Sequence, residues 1–82
     1  MDQILTSIEQ LTKALNLLNG EFDPIEIRNL TLCADQKHKA YVEKGLIENN
    51  KTEIAHGIMG ALSHYESERE KQIREKKLAY KN

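Results

Sequence analysis

The stretch GEFDPIE, residues 20–26, holds the chain's single proline and spells out a helix start residue by residue. Asp23 is a good N-cap, because its short carboxylate accepts from the free amides of a first helical turn. Pro24 suits the first helical position, where its missing amide costs nothing. Glu26 stands at the third position, within reach of the cap's own amide, and Phe22 and Ile27 flank the cap at staple spacing. Gly20, after Asn19, suits the end of a preceding helix, since the residue past a helix C-terminus often turns left-handed. One helix therefore stops before this stretch and another starts within it.

Upstream, Ile4, Ile8, Leu11, Leu15 and Leu18 recur at spacings of four and three. That is a heptad seam along one face of a helix over about residues 2–18. Leu5, Ala14 and Leu17 widen it. Downstream, Ile27, Leu30, Ala34, Tyr41 and Val42 trace a stripe that predicts a second helix over 24–47, with Leu32, Cys33 and Leu46 beside it. DQKHK at 35–39 interrupts this stripe, and Gly45 weakens its last turn. Asn49-Asn50 is a break. Thr52 or Asn50 caps a third helix over about 52–78, and Asn50 and Glu53 have capping-box spacing. Ile54, Ile58, Leu62 and Tyr65 share one face of it. From Glu66 onward the sizeable apolar groups thin out to Ile73, Leu78 and Tyr80. Pairs such as Glu66–Arg69 and Glu70–Arg74 add only about 0.2–0.5 kcal/mol each. This end reads as a projecting helix that a partner covers, or as a frayed end.

The expected fold is all-α: a single domain over residues 1–82, a three-helix hairpin or bundle with a long charged C-terminal helix. A chain this short buries only about 60–65% of its unfolded surface. Its core is thin, so oligomerisation is expected to complete it. Hydrophobic residues make up 39% and charged residues 30%, with a net charge of −1. No global field attracts nucleic acid or anionic lipid. No apolar run approaches the ~18 residues of a membrane span, and MDQILTSIEQ lacks the character of a secretory signal. Cys33 is alone, which excludes an internal disulfide; the cytoplasm is the simplest compartment. Charge is nevertheless uneven. The first fifty residues carry a net −3, whereas residues 69–82 carry six Lys/Arg against two acids.

Candidate chemistry is sparse. His38, His56, His64, Ser63 and Cys33 form no nucleophile–base–orienter set, and Cys33 reads as a small apolar residue. Asp35-x-x-His38 and Glu53-x-x-His56 share the acid-x-x-His spacing of di-iron bundles, which also need inward-projecting carboxylates. Glu9 is the only acid inside the first helix and it flanks the seam. Both motifs read as solvated surface groups. His56 and His64 are about 12 Å apart along a helix, too far to share an ion. No catalytic, metal-binding or cofactor-binding residue is expected, and the chain is read as a non-enzyme.

Gly57 and Gly60 are the oddity, since a mid-helix glycine costs about 1 kcal/mol relative to alanine. With Ala61, Ser63 and His64 nearby, they leave part of the third helix bare. Tight packing inside the chain, a helix crossing in a homo-oligomer and contact with a small ligand would each use such a surface. The partner interface is assigned to Ile4, Ile8, Leu11 and Leu15 of the first helix and to Gly57, Gly60, Ala61 and Tyr65 of the third. Arg69, Lys71, Arg74, Lys76 and Lys77 are the candidates for contacting an anion.

Thr52-Glu53-Ile54 followed by Gly57-Ile58-Met59 resembles a helix motif of phage-encoded cyclic-nucleotide sponges, short helical oligomers that blunt bacterial signalling defence. The likeness covers about eight of the 82 residues. The family's fuller aromatic and basic pattern around the motif is missing, so no binding residue carries over. The resemblance implies a small phage or bacterial protein and a signalling nucleotide as ligand.

The functional expectation is a non-enzymatic cytoplasmic interaction protein of inhibitor or adaptor type. It would dock helical surfaces on a protein partner from within a homo-oligomer, dimeric or higher. The alternative is a helical oligomer that sequesters a small anionic ligand. A weak nucleic-acid contact through residues 69–82 stands third, and no membrane association is expected.

Overall fold

The computed structural model describes residues 3–80, with side chains described for residues 3–75. Among these residues the chain is all-α, with helices α1 (Gln3–Leu17), α2 (Pro24–Leu30), α3 (Gln36–Glu48) and α4 (Lys51–Tyr80). No described helix is long and apolar enough to cross a membrane.

The turn between α1 and α2 follows its sequence closely at one end and departs from it at the other. Asp23 accepts the Ile25 amide at 2.9 Å, and Pro24 occupies the first helical turn. Gly20, however, has no positive φ. Instead the amides of Leu18, Asn19 and Gly20 bond three residues back, to Leu15, Asn16 and Leu17. Such tightening satisfies the end of a helix without a left-handed residue. Lys51 at the start of α4 donates to the Gly20 carbonyl at 3.3 Å and lies 5.6 Å over the Phe22 ring. The turn is thereby pinned to α4.

The helix expected over 24–47 is two helices. Thr31 is 2% exposed, and its hydroxyl donates to the carbonyls of Ile27 at 2.9 Å and Arg28 at 3.1 Å. The Thr31 amide reaches the same two carbonyls, at 3.1 and 3.3 Å, and the amides of Leu32 and Ala34 bond three residues back to Asn29 and Thr31, so the chain tightens out of the helix here. After four residues Asp35 restarts it, extended at φ −62 and ψ 155, with its carboxylate accepting from the His38 amide at 3.4 Å. DQKHK is thus the N-cap and first turn of α3, not a blemish within a longer helix.

α3 ends on Asn49, held left-handed at φ 55 and ψ 44, and the Asn50 amide bonds the Gly45 carbonyl at 2.8 Å. Of the two candidate caps for α4, Asn50 serves: its side-chain oxygen accepts from the Glu53 amide at 3.3 Å. α1 and α4 lie antiparallel, with Gly20 against Lys51 at one end and Ser7 beside Tyr65 at the other.

Leu11, Ile27, Val42, Ile54 and Ile58 are the largest fully buried side chains, joined in the core by Ala14, Leu18, Ala34 and Ala61. Removing such a side chain from water contributes about 1.5–3 kcal/mol. α3 approaches α4 over its bare side. A Cβ on Gly57 would lie 2.8 Å from the His38 carbonyl oxygen and from Val42 Cγ2. On the facing helix, a Cβ on Gly45 would lie 2.7 Å from the Ile54 backbone nitrogen. The glycines of the two helices let their backbones come within contact distance.

Candidate functional site

Two features meet at the end of the bundle where α4 leaves it: a polar cluster and the projecting helix itself.

The cluster is built by the Thr31–Asp35 connection. Asp35 caps α3 and also holds the His38 Nδ1 at 2.8 Å. Burial raises the Asp35 carboxyl, but hydrogen bonds from the His38 ring and amide and the charges of His38 and His64 prevail and hold it below its ordinary 3.8. The His38 ring lies over Gly60, where a Cβ would fall on Cδ2 and Nε2. One turn further on, Tyr65 donates from its hydroxyl to the Cys33 carbonyl. Burial pushes that hydroxyl above its ordinary 10.0, with Cys33 and Asp35 adding to the effect and a hydrogen bond with Ser7 opposing it. The Cys33 sulfur approaches the carbonyls of Leu30 at 3.6 Å and Ser7 at 3.9 Å. It lines a groove of about 340 Å³ with Gln3, Thr6, Ser7 and Gln10.

An aspartate orienting a histidine is half of a nucleophilic triad. Here the far side of the ring is packed on Gly60 and the thiol points at backbone carbonyls, so the dyad acts as a clasp. It ties the connection and α3 to α4. Among the described residues no three His, Cys, Asp or Glu side chains converge as a metal set would require.

The second feature is α4 past Tyr65. Every residue from Glu66 to Glu75 is exposed, so no side of this helix rests on the bundle. The helix continues to Tyr80, about 22 Å beyond Tyr65. The expected Glu66–Arg69 and Glu70–Arg74 pairs do not close; the ion pair among the described residues is Asp35–His38.

The expected interface residues separate into groups. Leu11, Gly57 and Ala61 are buried within the chain. Gly60 is covered by His38. These four form the chain's own α1–α4 and α3–α4 packing and correct the expectation that they face a partner. The space beside the glycines is filled from α3, by the His38 ring at Gly60 and by the His38 carbonyl and Val42 at Gly57. Ile4, Ile8, Leu15 and Tyr65 are half-buried. Arg69, Lys71 and Arg74 are exposed along the projecting helix, whereas the side chains of Lys76 and Lys77 lie outside the described residues.

Sequence reasoning missed the clasp: Asp35-x-x-His38 reads as solvated surface groups, whereas Asp35 is the N-cap of α3 and its carboxylate holds the half-buried His38 ring. It also missed the exposure of Ile47, which is 86% accessible beside a small recess lined by Arg28, Glu43 and Leu46.

No family model, no curated protein and no solved structure matches the chain.

Proposed function

We propose that this chain is a non-enzymatic interaction protein, a folded helical head that presents the second half of α4 to other protein surfaces within a homo-oligomer. The observation that carries the reading is the unbroken exposure of Glu66–Glu75 within a continuous helix. A helix segment exposed on every side gains no packing from its own domain. A segment of this length is marginal in water by itself, and helix–helix contact is what such a segment offers a neighbour.

The clasp adds support, because it fixes α4 where the helix leaves the head. A handle fixed at its root presents one surface in one direction. Inhibitors and adaptors that work by docking have this form, and its chemistry needs neither a nucleophile nor an ion.

The test is sedimentation equilibrium of the full chain over a wide concentration range, with amide exchange along residues 66–80. The reading expects self-association that weakens on dilution, and slower exchange in this segment as association rises. A species that stays monomeric throughout, with the segment exchanging as unstructured chain, would refute it.

A further inference from the structure

Exposed apolar side chains of the head gather on one face. Ile47 is 86% exposed, Ile25 69% and Leu32 56%. Ile25, Arg28 and Leu32 follow at spacings of three and four, so they share one side of α2 and of the turn after it. Glu43 and Ile47, four apart, share one side of α3. The two sides adjoin, because Arg28, Glu43, Leu46 and Ile47 line a recess of about 120 Å³. Further along, Ala34 lies against Gln36 and Ala40 in a trough that also reaches Glu43. α2 and α3 therefore run in opposite directions along this face.

Arg28 and Glu43 stand on opposite walls of that recess, both exposed, and no described residue forms an ion pair with either. Opposite charges flanking one point are complementary to themselves under a two-fold axis through that point. With the axis through the recess, Arg28 of each copy faces Glu43 of the other, and symmetry makes the pair twice. The axis also reverses the copied helices, which lays α2 of one copy parallel to α3 of the other. Four residues beyond the Arg28–Glu43 pair, Leu32 then meets Ile47. Three residues before it, Ile25 meets Ala40. The same register sets Asn29 level with Lys44 and Glu26 level with Tyr41, and it brings no like charges level.

We infer that two copies of this chain pair face to face through α2 and α3, on a two-fold axis between Arg28 and Glu43, with Leu32 of each copy seated against Ile47 of the other. The occupant of this face is thus a second copy. The inference goes beyond the interaction reading above: that reading rests on residues 66–75, whereas this pairing uses the head and leaves the projecting helix of each copy free.

Charge reversal on the full chain, read by sedimentation equilibrium, tests it. One variant carries Arg28→Glu, the other Glu43→Arg. Both residues are exposed, so each variant should keep its helices by far-UV circular dichroism. An exposed pair changes association by about twofold. Reversal replaces attraction by a like repulsion and symmetry counts it twice, so the dissociation constant of either variant alone should rise on the order of tenfold. Mixed in equal amounts, the two should form a heterodimer about as tight as the wild-type dimer, resolved by native mass spectrometry, because each site again joins opposite charges. Mixing leaves like charges within each chain, so a pair made inside one chain would not be rescued. Ile47→Ala, at a side chain the head leaves in water, should also weaken pairing on the order of tenfold. In the wild type, amide exchange across residues 24–48 should slow as association rises.

Rescue on mixing, with residues 66–80 exchanging as unstructured chain, would uphold this pairing and refute the reading of the projecting helix. Three outcomes overturn the inference. Variants that weaken pairing singly and fail to pair when mixed would place the Arg28–Glu43 contact inside one chain. A wild-type dimer indifferent to all three substitutions, with exchange slowing across residues 66–80, would put the contact on the projecting helix and leave the interaction reading standing. A wild-type chain that is monomeric at every concentration would remove this pairing and the homo-oligomer of that reading together.

Discussion

Replacing Gly57 by alanine separates two opposing effects. In an open helix the change stabilises by about 1 kcal/mol, because alanine is the better helix former. At Gly57 the new methyl would lie 2.8 Å from the His38 carbonyl oxygen, 2.8 Å from Val42 Cγ2 and 3.0 Å from the Val42 amide nitrogen. Two of these three are backbone atoms of α3, so no rotamer change relieves them and the helix itself must retreat. Overpacking of this order costs about 1–3 kcal/mol, and a retreat of α3 also loosens Val42, which is 1% exposed. The net expectation is a loss of up to about 2 kcal/mol after the propensity gain is set against the overpacking. For a domain of this size each kcal/mol lowers the melting temperature by about 4–8 °C. The measurement is thermal and urea unfolding by far-UV circular dichroism at one fixed, low protein concentration. Gly20→Ala is the comparator, since nothing lies within 4 Å of a Cβ there; it is expected to be neutral or slightly stabilising. Gly60→Ala should fall between them, because the obstacle is the end of the His38 ring, which can swing aside at the expense of its bond to Asp35. If Gly57→Ala raised the midpoint as an exposed glycine would, the close α3–α4 approach would be wrong.

Two further outcomes follow from the clasp. Asp35→Asn keeps a capping oxygen but loses the charge held by His38. The folded pKa of Asp35 lies below its ordinary 3.8, so the carboxylate's contribution is present above that value and is lost as pH falls through the lowered folded pKa. Wild type should therefore be more stable than the variant at neutral pH, and urea midpoints measured down the acid limb should converge; a constant gap would contradict the pairing. Tyr65→Phe removes the donor to the Cys33 carbonyl, a change of about 0.5–1.5 kcal/mol, and amide exchange should quicken first across residues 31–35; unchanged exchange there would show that the hydroxyl does not hold the connection.

The all-α class, the cap at Asp23 and the seam of the first helix were legible because each is a local signal. Asp23 and Pro24 fix a helix start within a few residues, and Leu11 or Leu15 declares a buried face by spacing alone. The break between α2 and α3 was harder to read. No Gly or Pro marks it, and the three-residue-back bonds of Thr31, Leu32 and Ala34 that close α2 are contacts that spacing does not encode. Asp35 carried the signal of a restart, yet DQKHK read as an interruption of one helix and Asp35-x-x-His38 as solvated surface groups, because a run of polar residues is as common on an exposed helix face as in a first turn. The glycines posed the converse problem. Their spacing said that something comes close, but only the path of α3 decides that it is His38 and Val42 and not a second chain. The unpartnered length of α4 was foreseen as one of two outcomes, projecting or frayed, because the thinning of apolar residues after Tyr65 is compatible with both.

That α4 begins inside the head has a consequence for the kinetics of whatever the projecting half meets. The first turn of a helix is its unfavourable step, and here that step is completed at Asn50 and Lys51, where the bundle holds it. The exposed segment only propagates a helix already under way. A surface arriving at residues 66–80 therefore meets a shape largely set before contact, and little chain ordering remains to be done during the encounter. Recognition by this half of α4 is then expected to proceed as the docking of rigid rods, with association rates governed by charge and orientation and not by folding.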